Sequence, residues 1–552
     1  MCNVLAFQRY FMPDEEKLKE ELGVGGETVK NFSAMFTGTV ASILVSLVIY
    51  ISIARLLGPA NYGVYTFAFG FGNLAVGLFG GFGIGNYLVK NITEARTMRE
   101  GRLLDSILAS GYTVIMTITI VLMVIGILIS SSISAISLNS STDYLLLIIA
   151  VIAIFFGTIE AVSENALVGF GKSNIAVATM VGSDFVWLFV GVGLIILGYG
   201  VLGALIGLLL DNIVGSLAAV YFVVKEKHKY GAKGFRFATK QEIYDTVKFS
   251  APIGMKNLVS VGISNFAIVL LGFYVTKSIL GDYGVAMMGF AFVSAFYGNV
   301  THVMLQSFSK ARKSKEKADL NKTYGLTLKY SLILVLPIFV YMILFARQGV
   351  YLIFSHSYVN APLYLSLMVI GVFINTISIY LSTLFISESK TAKVFKYSVI
   401  SAIVQFILLV LLVPYFVRYL GPVEGPIASI LSIFIIGSAV NDMLYIRGTG
   451  KMLFFSISRA RVYRVLFANV LLGVITALVL LITNSEWIMF LGAVVLILVY
   501  PMLLALLKIV DRGDIEKIRG FAHMLKLIGR PIVWFLRYTD FFIIKIWGND
   551  AI

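Results

Sequence analysis

Fourteen apolar runs dominate the sequence, each close to the length of about 20 residues that a helix needs to cross a bilayer. They lie near 33–56, 63–89, 103–131, 143–169, 175–198, 201–224, 249–276, 283–309, 328–346, 360–386, 395–417, 423–446, 465–483 and 487–508. Hydrocarbon offers no partner for backbone polar groups, so a chain of this pattern must fold as a bundle of helices that satisfy their own amides. Composition agrees. Of 552 residues, 59% are apolar and 13% charged, against roughly 45–50% and about 25% in soluble domains. The expected fold class is an all-α polytopic membrane protein of about 14 transmembrane helices, which excludes a soluble enzyme, a disordered chain and a disulfide scaffold.

Positive charge sorts the connecting loops. The net charge of +15 would suggest nucleic acid in a soluble protein, but in a membrane chain the question is which side it occupies, and no nucleic-acid partner is expected. Of 44 Lys and Arg residues, 39 fall in the terminal segments and alternate loops, and Lys256 falls inside a run. Only Arg55, Lys277, Arg347 and Arg418 occupy the opposite side. The side rich in Lys and Arg is cytoplasmic, so both termini are expected there, in a plasma-membrane protein of multi-pass type.

The chain then divides into a cytoplasmic N-terminal segment (1–32), an N-lobe of six spans (33–224) and a basic cytoplasmic linker (225–248). A C-lobe of six spans (249–447), a basic loop (448–464), two further spans (465–510) and an amphipathic tail (511–552) follow. The first thirty residues carry Asp14, Glu15, Glu16, Glu20 and Glu21 without a long apolar stretch, unlike a signal peptide. The tail mixes Lys526, Arg530, Arg537 and Lys545 with Trp534 and Trp547, as an interfacial helix on an anionic leaflet would.

Chemistry is sparse in this pattern. One cysteine and four scattered histidines offer neither a disulfide nor a metal site. No P-loop is present, and the outward loops, such as SSISAISLNSST and TNSE, are short. No cofactor is expected and the chain does not read as an enzyme. Work done across the membrane would draw on an ion gradient, the membrane potential or product removal.

Two copies of a six-span unit are visible. TVKNFSA at 28–34 recurs as TVKFSA at 246–251, each opening a span that is expected to end in a Leu-Gly turn, LLGPANYGVYTF at 56–67 and SILGDYGVAMMGF at 278–290. Ala-Arg recurs in the loops that follow (95–96 and 311–312). GKSNIAV at 171–177 answers ESKTAKV at 388–394, and GYGVLGALIGLLL at 198–210 answers LGPVEGPIASIL at 420–431. Six spans separate the copies, and six is even, so the repeat is parallel, related by an axis along the membrane normal. Two six-helix lobes facing a central cavity, with two extra C-terminal helices, are expected.

ARLLGPANYGVYTFA at 54–68, between an apolar first span and a glycine-rich second one, resembles the polysaccharide-biosynthesis (Wzx-type) flippases. Their superfamily also holds multidrug-and-toxin extruders and the lipid II flippase. The resemblance implies alternating-access transport of a polyprenyl-linked oligosaccharide from the cytoplasmic to the outer leaflet, by a chain that works as a monomer among membrane lipids. A cation-coupled multidrug exporter of the same fold is the second reading, and a scaffold for glycan-assembly enzymes a third.

Charge inside hydrocarbon is costly and marks candidate functional residues. Lys256 lies seven residues into span seven, about 10 Å from its cytoplasmic end at 1.5 Å per residue, where it suits a phosphate or reaches back to headgroups. Arg55 closes span one, as an outer-mouth ligand for an anionic head or an interfacial anchor. Asp211, ten residues into span six, is the third substrate-binding candidate. Glu160 and Glu164 share one face of span four, with Asp184 expected at similar depth in span five. Three carboxylates so placed repel one another unless a proton or sodium ion sits among them, which suits ion coupling; solvated polar residues at a cytoplasmic mouth are the alternative.

Overall fold

The computed structural model describes residues 26–77, 83–98, 100–137, 143–231, 236–291, 294, 329, 332–333, 335–387, 390–449, 459–481, 485–510, 515 and 529–547. The acidic N-terminal segment, most of span eight with His302, most of the basic loop at 310–329 and the tail from 516 to 528 lie outside them. Regular structure among the described residues is helical throughout. In order, the helices are α1 (Gly26–Gly72), α2 (Ile84–Met98), α3 (Gly101–Ser137), α4 (Tyr144–Gly169), α5 (Ser173–Val186), α6 (Gly200–His228) and α7 (Lys240–Tyr274). After α8 (277–291) and α9 (Val335–Leu344) come α10 (Ala346–Ile353), α11 (Ala361–Ser387), α12 (Thr391–Tyr419), α13 (Glu424–Ile430) and α14 (Gly437–Thr449). The chain ends with α15 (Arg459–Val479), α16 (Ile488–Leu506) and α17 (Gly529–Trp547).

Among the described residues, eight continuous helices are long and apolar enough to span a membrane, or nine with a bent pair counted as one. This is an all-α polytopic membrane fold. The count falls below fourteen partly because two of the eight, Ser42–Gly77 and Ser173–His228, each hold two sequence-predicted spans. Glycine separates the spans within them. Gly58 has φ +70° and ψ 172°, a left-handed φ that residues with a Cβ avoid, and Pro59 restarts the helix with its φ already set and no amide hydrogen to satisfy. Gly198 and Gly200, at φ +94° and +53°, turn the chain between spans five and six. Gly421, at φ +120°, does so at the matching point of the second copy.

Several boundaries differ from the sequence reading. Span two starts at Pro59 rather than 63, and its expected end belongs to α2, a separate amphipathic helix that begins at Ile84. Arg96 on α2 donates to the Phe170 carbonyl oxygen at 2.7 Å, satisfying an orphan acceptor past the end of α4. The Leu280-Gly281 pair is not a turn. Helix α7 ends at Tyr274, Leu280 N bonds Thr276 O at 3.0 Å, and Gly281 lies inside α8. Span nine bends by 72° between α9 and α10, with Phe345 at the corner.

By contact density the described chain forms two units. The larger holds 30–288 and 398–433. Helix α4 packs against α2, α3 and α6, and α7 lies along α3. The core there is Leu88, Ile92, Ile107, Leu167 and their neighbours. On α3, Ser110, Thr119, Ser130 and Ser134 face inward while Val121, Ile125 and Leu128 face outward, reversing the soluble pattern. Small polar residues let helices approach and bond back to their own backbone, as Thr119 does to Ile115 O at 2.7 Å, while lipid takes the larger apolar side chains.

One end of this unit gathers loops that the charge pattern assigns to the cytoplasm. Thr239 and Glu242 close a capping box at the start of α7, so the helix begins inside the predicted linker. Arg236 donates to Glu242 Oε2 at 2.8 Å, and Ser106 on α3 donates to the same carboxylate. Lys227, buried, meets Asp105 at 3.4 Å. The predicted outer loops also meet one another, where Lys277 and Asp143 stand 4.0 Å apart.

The smaller unit holds 289–397 and 434–552 together with the N-terminal residues up to Val29. Helices α15, α16 and α17 share a core of Leu472, Tyr500, Leu504, Leu536 and Ile543, with Tyr500 donating to Ile333 O at 2.8 Å. Helix α11 packs on α14. There buried Asp442 accepts from Ser378 N at 2.8 Å and from the Ser378 hydroxyl.

Candidate functional site

The candidate site lies where α4, α5 and α6 meet the first half of α1. Three of the four acidic candidates face this seam because of their spacing. Gly157, Glu160 and Glu164 on α4 fall at i, i+3 and i+7, opposite Asp211 and Gly215 at i and i+4 on α6, so the two stripes run along one contact. Glycine makes the approach possible. A Cβ on Gly215 would overlap the Glu160 carboxylate, and one on Gly157 would stand 2.8 Å from Asn212 Oδ1.

Glu160 is buried and accepts from Ser183 Oγ at 3.0 Å. Asp184, the next residue on α5, accepts from Ser42 of α1 at 2.8 Å. Spans four and five thus bring Glu160 and Asp184 to a common depth, as their positions along the two helices predict. Glu164 is half-buried, and its Oε1 has no hydrogen-bond partner. Asp211 is only 6% exposed, and its Oδ1 likewise lacks a partner. A carboxylate oxygen buried without a donor is costly to maintain. Among the described residues no ion pair reaches any of these four acids, and no three His, Cys, Asp or Glu side chains converge to hold a metal ion.

Beside Asp211 opens a cavity of about 360 Å³. Tyr50, Phe69 and Trp187 give it an aromatic wall; Asn73, Thr158, Asp211 and Asn212 give it polar atoms. Glu160, Glu164 and Asp184 do not line it. Trp187 is fixed in place, its indole nitrogen donating to Ala204 O at 3.3 Å and its ring meeting Tyr50 edge-on at 5.2 Å. Backbone irregularity borders the cavity: π-helical turns at Asn73–Gly77 and Trp187–Gly191 interrupt spans two and five. Such insertions occur often at functional sites.

The other two candidates are elsewhere. Arg55 is exposed near the predicted outer end of the first half of α1. The 13 residues from Ser42 make that about 20 Å of helix, so Arg55 does not join the acids. Lys256 lies on α7, and its side chain falls outside the described residues. Sequence reasoning noted Asn212 only as the neighbour of Asp211 and passed over Tyr50, Asn73 and Trp187. An aromatic side chain in an apolar span is unremarkable, and only the helix pairing brings these four together.

The family described as polysaccharide biosynthesis protein matches residues 28–305, just over half of the chain. No curated protein matches the sequence significantly. Several solved structures share the fold. The lipid II flippase MurJ in an inward closed conformation superposes with a TM-score of 0.65 at 18% identity, covering 86% of this chain and 98% of its own. An inward-facing multidrug resistance MATE family transporter of the MOP superfamily gives 0.61 at 17% identity, covering 74% and 95%. An outward-facing MATE family transporter gives 0.51 at 18%, covering 76% and 96%.

Proposed function

We propose, from the premise that this chain belongs to the polysaccharide biosynthesis protein family, that it is a flippase for polyprenyl-phosphate-linked oligosaccharide. The observation that carries the reading is the family match over residues 28–305. The likeness to a lipid II flippase over 86% of the chain supports the fold such work requires. The multidrug transporters cover 74–76%, and a cation-coupled multidrug exporter of the same fold stands as the second reading because the candidate site is acidic.

In this account the glycan and its phosphate enter from the cytoplasmic leaflet while the prenyl tail stays in lipid. The six-span halves, 33–224 and 249–447, rock to reopen outward. Lys256 holds the phosphate, as a compact cation suits an oxyanion, and Arg55 meets it again near the outer mouth. Asp211 contacts the substrate. Glu160, Glu164 and Asp184 carry the coupling ion. A proton fits their arrangement better than sodium, because Glu160 and Asp184 are each served by a separate serine rather than gathered around one centre. Both termini lie in the cytoplasm of a plasma-membrane protein that acts as a monomer. Moving one charge through 100 mV supplies about 2.3 kcal/mol, enough to bias the cycle.

Depletion of the protein in its native host, followed by mass spectrometry of lipid extracts, tests the reading. Accumulation of a prenyl-linked glycan with loss of that glycan outside the cell is expected. An unchanged lipid pool would favour drug export instead.

A further inference from the structure

Three features of the cavity between α1, α4, α5 and α6 bear on what it holds. First, its lining has no Lys, Arg or His among the described residues, so nothing in it neutralises an anion. With Asp211 in its wall, and Glu160, Glu164 and Asp184 behind, an acidic group entering it meets like charge in a medium that screens poorly. The phosphate of the proposed substrate therefore belongs elsewhere.

Second, the lining offers hydrogen-bonding groups. Asp211, whose Oδ1 is buried without a donor, lines it beside Asn212 and Tyr50. Together they present a strong acceptor, an amide that both donates and accepts, and a hydroxyl. An unsatisfied buried acceptor favours a ligand that brings O–H or N–H groups to it.

Third, the cavity is too large and too aromatic for a bare ion. Its volume of about 360 Å³ sits at the small end of the ~300–1,000 Å³ typical of small-molecule sites. Tyr50 and the immobile Trp187 supply apolar ring surface beside the polar atoms. A ring with hydroxyl and amide donors on its rim and C–H groups on its faces matches both kinds of wall.

We propose that this cavity is a subsite for one uncharged sugar ring of the carried glycan, held by Asp211 and Asn212 against the Tyr50–Trp187 wall, and that it rejects acidic sugars. The inference rests on the flippase reading and adds the substrate class. It also separates two roles among the acids: Asp211 reads the sugar, while Glu160, Glu164 and Asp184 stand outside the cavity.

Binding of three synthetic probes to the purified full-length protein in lipid nanodiscs tests it. The probes are farnesyl pyrophosphate, the same lipid carrying N-acetylglucosamine, and the same lipid carrying glucuronic acid. The N-acetylglucosaminyl lipid is expected to bind about tenfold or more tighter than bare farnesyl pyrophosphate, as a hydrogen bond to a charged acceptor allows. The glucuronyl lipid gains nothing. Asp211→Asn and Asn212→Ala each shrink the sugar's advantage while leaving the affinity for farnesyl pyrophosphate unchanged, which also shows that the variants are folded. A glucuronyl lipid that binds tighter than the bare one, or an advantage that survives both substitutions, overturns the subsite. Loss of the advantage when sodium chloride replaces choline chloride assigns Asp211 to a cation and overturns it as well. Failure of farnesyl pyrophosphate itself to bind sinks the flippase reading beneath it.

Discussion

Gly63 and Gly281 face each other across α1 and α8 with no room for a side chain on either. A Cβ on Gly63 would stand 3.0 Å from Gly281 N and would overlap the Lys277 carbonyl; one on Gly281 would stand 3.2 Å from Gly63 N and would overlap the Pro59 carbonyl. Both belong to the repeated Leu-Gly…Tyr-Gly phrase, so the two copies of one motif cross at the predicted outer end. Tyr283, next to this crossing, lies 3.3 Å from buried Ser429 through its hydroxyl. Gly281→Ala forces one backbone away from the other and is expected to destabilise the protein by about 1–3 kcal/mol, the usual cost of overpacking. Thermal unfolding in detergent measures this. Gly198→Ala is the comparison, because open space surrounds that glycine and only its left-handed φ resists the change. An unchanged melting temperature for Gly281→Ala would show that the helices part freely.

Glu160 accepts from Ser183 Oγ at 3.0 Å and is one of the three acids proposed to carry the coupling ion. Glu160→Gln keeps the shape and the bond from Ser183 but removes the exchangeable charge. If this acid carries the coupling proton, transport driven by a pH gradient falls at least tenfold while farnesyl pyrophosphate binding stays within twofold. Equal gradient dependence in variant and parent would move the coupling away from α4.

Lys256 is expected to act on the phosphate alone. Lys256→Ala removes one charge-assisted contact, worth about 1.5–3 kcal/mol, and should weaken farnesyl pyrophosphate binding by roughly ten- to a hundredfold. Lys256→Arg should restore most of it. Calorimetric titration of both variants decides between a phosphate ligand and a lysine that only reaches for headgroups.

At the end that the charge pattern assigns to the cytoplasm, hydrogen bonding from Arg236, joined by Ser106 and Thr239, holds the Glu242 carboxyl well below the usual carboxylate range. A carboxyl held low in the fold stabilises it above the ordinary Glu value of about 4.3, and that contribution fades as pH falls below it. The linker before α7 should therefore stay protected from hydrogen exchange at neutral pH and loosen on acidification below about pH 4. Glu242→Gln should loosen it at every pH. Because the pair is solvent-exposed in part, the effect is local rather than global.

Much of this architecture was legible in the sequence. Apolar runs give the helices, because insertion cost acts residue by residue. The acidic candidates were legible for the same reason: Glu160 and Asp184 are conspicuous in hydrocarbon, and their positions along spans four and five predict a shared depth. Gly281 was read as a turn because it shares the Leu-Gly of Leu57-Gly58, yet it serves close packing. Glycine permits both, and only the neighbour decides. Tyr50, Trp187 and Asn73 left no signal, since what makes them a site is the pairing of α1 and α5 with α4 and α6. The 72° bend after α9 was hidden as well, because an apolar run shows its length but not its corners.

The central claim is that the chain moves a lipid-linked glycan between leaflets. Purified protein reconstituted into liposomes that contain a fluorescent N-acetylglucosaminyl farnesyl pyrophosphate tests it most directly, with a membrane-impermeant quencher outside. The account predicts that the quenchable fraction changes with time in protein-containing vesicles, faster with an imposed pH gradient, and at least tenfold slower with Lys256→Ala. A fraction no different from that of empty liposomes, in a preparation that binds the lipid, would contradict it.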